Sequence, residues 1–98
     1  MGGEAAAAVT TTQQELQLTP SDSRLYVLQA KAYAALGRHM QQHRAQAEAY
    51  LADGQLASAI EQLDLARKAG DGNFYEQSQV DARLRELKQR KVEEMLPR

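Results

Sequence analysis

The 98-residue sequence contains no cysteine and no tryptophan, only two prolines, and aromatic residues at 5%. Lack of cysteine excludes a disulfide framework, a thiolate nucleophile and any cysteine-ligated zinc. An excess of one charge is also missing, because 12 Lys and Arg stand against 13 Asp and Glu for a net charge of -1. No global basic field is therefore available to hold a nucleic acid. The longest uncharged apolar stretch near the start, Ala5 to Val9, is too short for a secretory signal or a membrane span. No targeting signal is read in the chain, and direct membrane insertion is not expected. β-Branched residues are scarce, which disfavours a sheet. What is abundant is Ala, Leu, Gln, Glu and Arg, the residues that lose least on entering a helix. The length allows one small domain.

Along the chain, residues 1–20 read as the frayed or truncated remnant of a preceding helix. Within them Gln13 to Leu18 offers only Leu16 and Leu18 for burial, and isolated helices of that length are marginal in water. Pro20 ends this stretch, and Ser21 or Asp22 is placed to cap the next helix. From Arg24 to Leu36 the intervals between Leu25, Leu28, Ala32 and Leu36 predict one helix with a broad buried face, stopped by Gly37. His39 to Asp53 repeats the plan and stops at Gly54. Leu56 to Ala69 repeats it again, with Leu56, Ala59, Ile60, Leu63 and Ala66 on one face. Asn73 and Glu76 have the spacing of a capping box for a last helix from Phe74 toward Val92. The prediction is an all-α chain of about four helices in antiparallel hairpins, with helices in 21–69, a capping helix in 70–92 and a tail in 93–98.

The interval from Gly37 to Gly54, doubled, is the roughly 34-residue period of the tetratricopeptide repeat. With Gly54 at the turn of a repeat, Ala47, Ala59 and Ala66 fall on the close-contact sites, Tyr50 on the aromatic site and Leu63 on a large one. Small residues let backbones approach while large ones fill the space beside them to interior density. With Gly37 at the turn, Tyr26, Ala30 and Tyr33 fall on corresponding sites. The sequence thus resembles a short tetratricopeptide-like solenoid. Gln29, Gln46 and His43 depart from the pattern, and Asp81 would bury a carboxylate if another repeat continued, so the last helix reads as a cap.

A narrower resemblance spans roughly residues 19–89. It is carried by Thr-Pro-x-x-x-Arg-Leu-Tyr at 19–26, Gln-Ala-x-Ala-Tyr-Ala-x-Leu-Gly at 29–37 and Glu-Ala-Tyr-Leu-Ala-x-Gly at 48–54. Gln-Leu-Ala-x-Ala-Ile-Glu-Gln-Leu at 55–63 and Gln-x-x-Val-Asp-Ala-Arg-Leu-Arg-Glu-Leu at 77–87 extend it. These runs resemble the carboxy-terminal helical region of bacterial periplasmic zinc metalloproteases of the β-barrel assembly-enhancing type. The resemblance implies a periplasmic setting, a zinc-bearing protease domain lying upstream in a longer parent, and docking to outer-membrane assembly components or stalled client barrels.

The residues of this chain suggest no chemistry of their own. His39 and His43 stand four apart on a helix, as in zinc proteases, but Met40 occupies a position between them and cannot act as a base. Gly70-Asp71-Gly72-Asn73 is too short for a calcium loop and reads as a connector. No cofactor and no metal is expected. Lys88, Arg90 and Lys91 form a basic patch diluted by Glu93 and Glu94, which reads as a solvated tail. The remaining candidate is a protein-binding groove, mapped by the repeat register to Arg24, Val27, Lys31, Gln41, Arg44, Glu48 and Leu51. Tyr26, Tyr33 and Tyr50 are read as fillers between helices. The partner expected is a polypeptide, with weak self-association through Leu25 and Leu28 if a neighbour of that helix is missing. Two alternatives stand beside this reading: a generic scaffold repeat from another bacterial protein, and a four-helix bundle carrying a metal or cofactor.

Overall fold

The computed structural model describes residues 2–97, and within them the chain forms five α-helices and no strand. They are α1 (Gly2–Leu18), α2 (Ser23–Ala35), α3 (His39–Ala52), α4 (Leu56–Ala69) and α5 (Phe74–Met95). Each packs on the helix next in the chain, giving a stack of helical hairpins. The molecule measures 50 × 29 × 18 Å, and its thinnest dimension is that of two helix layers. The predicted stops at Gly37 and Gly54 are present at φ of 71° and 77°, and Gly70 of the connector ends α4 in the same way at 74°. That left-handed conformation ends a helix at low cost only in glycine. Asp22 caps α2 by accepting from the Arg24 amide at 3.0 Å. The capping box of α5 closes in both directions, Glu76 N to Asn73 Oδ1 at 2.8 Å and Asn73 N to Glu76 Oε1 at 3.0 Å.

The alanines sit where the close-contact argument puts them. Ala47 is 1% exposed, and Ala59 and Ala66 are fully buried. Ala47, Ala59, Leu63, Leu84 and Leu87 form one core cluster across α3, α4 and α5, with Tyr50 and Leu51 packed against it. Met40, Ala66 and Val80 form a second.

Residues 2–18 correct the sequence reading. In place of a frayed remnant, α1 is a 17-residue helix lying against α2, so the chain has five helices rather than about four. Its contact face is built from small and polar residues, not leucines. Ala5 and Thr12 are buried, and Thr12 Oγ1 donates back to Ala8 O at 2.8 Å while accepting from Gln29 Nε2 at 3.3 Å. Tertiary packing supplies the stability that an isolated helix lacks. The flank of α2 that would otherwise want a neighbour outside the chain is occupied by α1; Leu25 is half-buried and Leu28 stays exposed. At the other end α5 runs past Val92 to Met95, leaving Val92, Met95 and Leu96 exposed. Met1 and Arg98, the ends of the predicted remnant and tail, lie outside the described residues.

The connector at 70–73 does more than join α4 to α5. The N-cap position of α3, Arg38, makes no side-chain cap. The Asp71 carboxylate takes that role from across the fold, accepting from Met40 N at 2.8 Å and from His39 N. Burial alone would push the Asp71 carboxyl up, but the Met40 and His39 amides outweigh it and hold the group below its ordinary value. A depressed carboxyl contributes stability that is present above its unfolded pKa and lost as pH falls through the folded value. Asp71→Ala is therefore expected to cost about 1 kcal/mol near neutral pH. The gap from the parent protein should narrow as pH drops below about 4. Urea unfolding of both proteins across that range is the measurement, and a gap that does not change with pH refutes the cap.

Candidate functional site

A groove of about 350 Å³ opens between α1 and α3. Gln13 of α1 forms one wall, and Tyr26, Gln29 and Tyr33 of α2 contribute the middle. Gln41, Arg44 and Glu48 of α3 form the other wall. Their spacing is that of one helix face, at intervals of three and four. The Tyr26 hydroxyl donates to Pro20 O at 2.9 Å, anchoring the α1–α2 turn to the groove. Burial pushes the Tyr26 phenol up, and the Glu48 carboxylate adds to the shift. Arg38 stands over the ring of Tyr33, its guanidinium carbon 5.9 Å from the centroid, within reach of a cation–π contact.

The α3 wall is held in place by α5. Arg83 grips Glu48 with two bonds, Nε to Oε1 at 2.8 Å and Nη2 to Oε2 at 3.0 Å. Its third contact runs from Nη1 to Glu86 at 2.8 Å. Glu48 and then Glu86 hold the Arg83 guanidinium well above its ordinary range. This forked, charge-assisted geometry fixes direction as well as distance. One turn away, Arg44 Nη1 donates to Gln41 Oε1 and to Gln79 Oε1, each at 3.2 Å. Gln41 Nε2 in turn donates to Glu76, which also accepts from Arg38 Nη2 at 2.8 Å. The Asn73 amide, and then Gln41, hold the Glu76 carboxyl below its ordinary value.

The structure divides the predicted binding residues. Gln41, Arg44 and Glu48 line the groove together. Arg24, Val27, Lys31 and Leu51 are not part of its lining: Arg24 is exposed and paired with Asp22 at 3.3 Å, Lys31 is exposed and Val27 half-buried, and Leu51 packs on the core. Of the three tyrosines read as fillers, Tyr50 packs on the core, while Tyr26 and Tyr33 line the groove. Gln13 has no role in the sequence reading, in which its stretch is too short and too poor in large apolar residues to pack. Gln29, noted as a departure from the repeat pattern, was the one available signal, since a polar residue on a buried stripe wants a polar neighbour.

The two histidines have separate partners: His39 Nδ1 lies 3.3 Å from Gln42 Oε1, and His43 Nδ1 lies 2.9 Å from Gln62 Oε1. Among the described residues no group of three or more His, Asp or Glu is placed to hold a metal ion. Among them, too, no helix is long and apolar enough to cross a membrane. Comparison with protein-family models, curated proteins and solved structures gives no match.

Proposed function

We propose that this chain is a non-catalytic protein–protein interaction module that holds an extended segment of another polypeptide in the groove between α1 and α3. The observation that carries the reading is the groove's chemistry: the side-chain amides of Gln13, Gln29 and Gln41 line it together with the rings of Tyr26 and Tyr33. A primary amide donates and accepts as a peptide group does, and a tyrosine offers a rigid apolar face with a polar tip. Such a surface suits an extended backbone. The hairpin stack is consistent with a tetratricopeptide-like solenoid, whose concave side binds peptides in this manner. The sequence runs at 19–89 supply the setting: the docking region of a periplasmic zinc metalloprotease acting in outer-membrane protein assembly or quality control, with the zinc in a protease domain elsewhere in the parent.

Photo-crosslinking tests this. A benzophenone amino acid placed at Gln13 or Tyr33 is expected to capture outer-membrane assembly components or unassembled barrel proteins, identified by mass spectrometry. The same probe at Glu61, exposed on α4, should not. Equal labelling at all three positions counts against the groove. Capture confined to proteins outside barrel assembly keeps the groove and removes the setting.

A further inference from the structure

Arg44 lacks an acidic contact in a site otherwise arranged in matched pairs. Around the groove, each carboxylate is in contact with a different arginine: Glu48 with Arg83 and Glu76 with Arg38, both at 2.8 Å. Arg44 forms no ion pair among the described residues, and its two hydrogen bonds go to the neutral oxygens of Gln41 and Gln79. Both leave from Nη1, so Nε and Nη2 donate to nothing among the described residues. Arg44 as a residue is nonetheless half-buried and lines the groove wall, where solvent screens a charge less than on an open helix face. Glu76 feels its charge at a distance but is already occupied by Arg38 and Gln41. A guanidinium presents its donors in a planar fork that matches a carboxylate or a phosphate, and of these the carboxylate is the group an unmodified polypeptide carries.

We infer that the segment held in this groove presents an aspartate or glutamate side chain to Arg44, and that this contact decides which segments are accepted. The inference rests on the peptide-binding reading of the groove. The source of the carboxylate is a side chain rather than a chain terminus. The amide-bearing residues come from α1, α2 and α3 and let a backbone run on through the groove, and Arg44 is the only groove-lining cation among the described residues. Tyr26 and Tyr33 contribute contact area that any side chain can use, whereas Arg44 discriminates by charge.

The test is an array of random ten-residue peptides, each attached through its C-terminus so that no free α-carboxylate is presented. It is probed with the full chain and with the Arg44→Gln and Arg44→Glu variants. The full chain should select peptides carrying Asp or Glu at one position, and changing that acid to its amide should weaken binding about tenfold. Arg44→Gln should lose the acidic preference, and Arg44→Glu should select Lys or Arg at the same place. Added salt should weaken binding by the full chain and leave that of Arg44→Gln nearly unchanged. Peptides bound without acidic enrichment, or an unaltered selection by Arg44→Glu with its helical circular dichroism intact, overturn the inference and leave the groove reading standing. Should Arg44→Glu fail to fold, Arg44→Gln decides alone. Binding seen only when the array is remade with free C-termini overturns it in favour of a terminal carboxylate. No binding to either array removes the groove reading together with the inference.

Discussion

Replacing Leu63 with alanine is expected to destabilise the chain by about 3 kcal/mol, within the range for emptying a packed core site. Leu63 is 1% exposed and lies in the larger of the two clusters that join α3, α4 and α5, with Ala47, Ala59, Leu84 and Leu87. Two of the other four buried members of its cluster, Ala47 and Ala59, are alanines, which have no longer side chain to swing into the vacated space. The loss therefore includes a cavity cost beyond the lost transfer free energy. In a chain of this size such a loss lowers the melting temperature on the order of 15 °C. Leu65, two positions along the same helix and 46% exposed, supplies the control. Leu65→Ala should change stability by no more than about 0.5 kcal/mol. Thermal and urea unfolding of the two variants measure the contrast, and similar losses in both would contradict the assigned core.

Gly72→Ala is expected to cost about 2 kcal/mol through overpacking. The reason is not a backbone conformation, since Gly72 is absent from the positive-φ glycines. A Cβ at this position would run into the thioether of Met40, coming within 2.9 Å of its terminal methyl. Methionine is flexible and usually yields, but Met40 is itself 1% exposed and packed with Ala66 and Val80. It has nowhere to move without displacing them. The effect should therefore depend on Met40. Met40→Ala alone opens a cavity costing about 3 kcal/mol, and adding Gly72→Ala to it should cost far less than in the parent chain. A double-mutant cycle gives the coupling. Strict additivity would show that the 70–73 connector does not close on α3 in this way.

Much of this arrangement is legible in the residues alone. The stops at Gly37 and Gly54, a cap at Ser21 or Asp22, and the Asn73–Glu76 box are local chemistry, decided within a few residues of chain. They mark α2 to α5 closely. The burial of Ala47, Ala59 and Ala66 agrees with their spacing on two helices. Half of the site escaped because it depends on α1. That helix offers alanines and Thr12 to α2 instead of a leucine stripe, so counting large apolar residues undervalued it. Once α1 is in place, Tyr26 and Tyr33 line a groove together with Gln13 and Gln29.

The 70–73 connector shows the same division. Its glycines and polar residues announce a turn, but nothing near Asp71 in the chain says that the unsatisfied amides of His39 and Met40 lie beside it. For α2 to α5, helix identity, helix ends and the buried stripe follow from the sequence by itself, because propensity, capping and periodicity act over a few residues. Which helices face one another across a groove, which arginine is left without a carboxylate, and which loop closes the start of α3 were decided only by the tertiary structure. Those are relations between residues some thirty positions apart, brought within a few ångströms by packing.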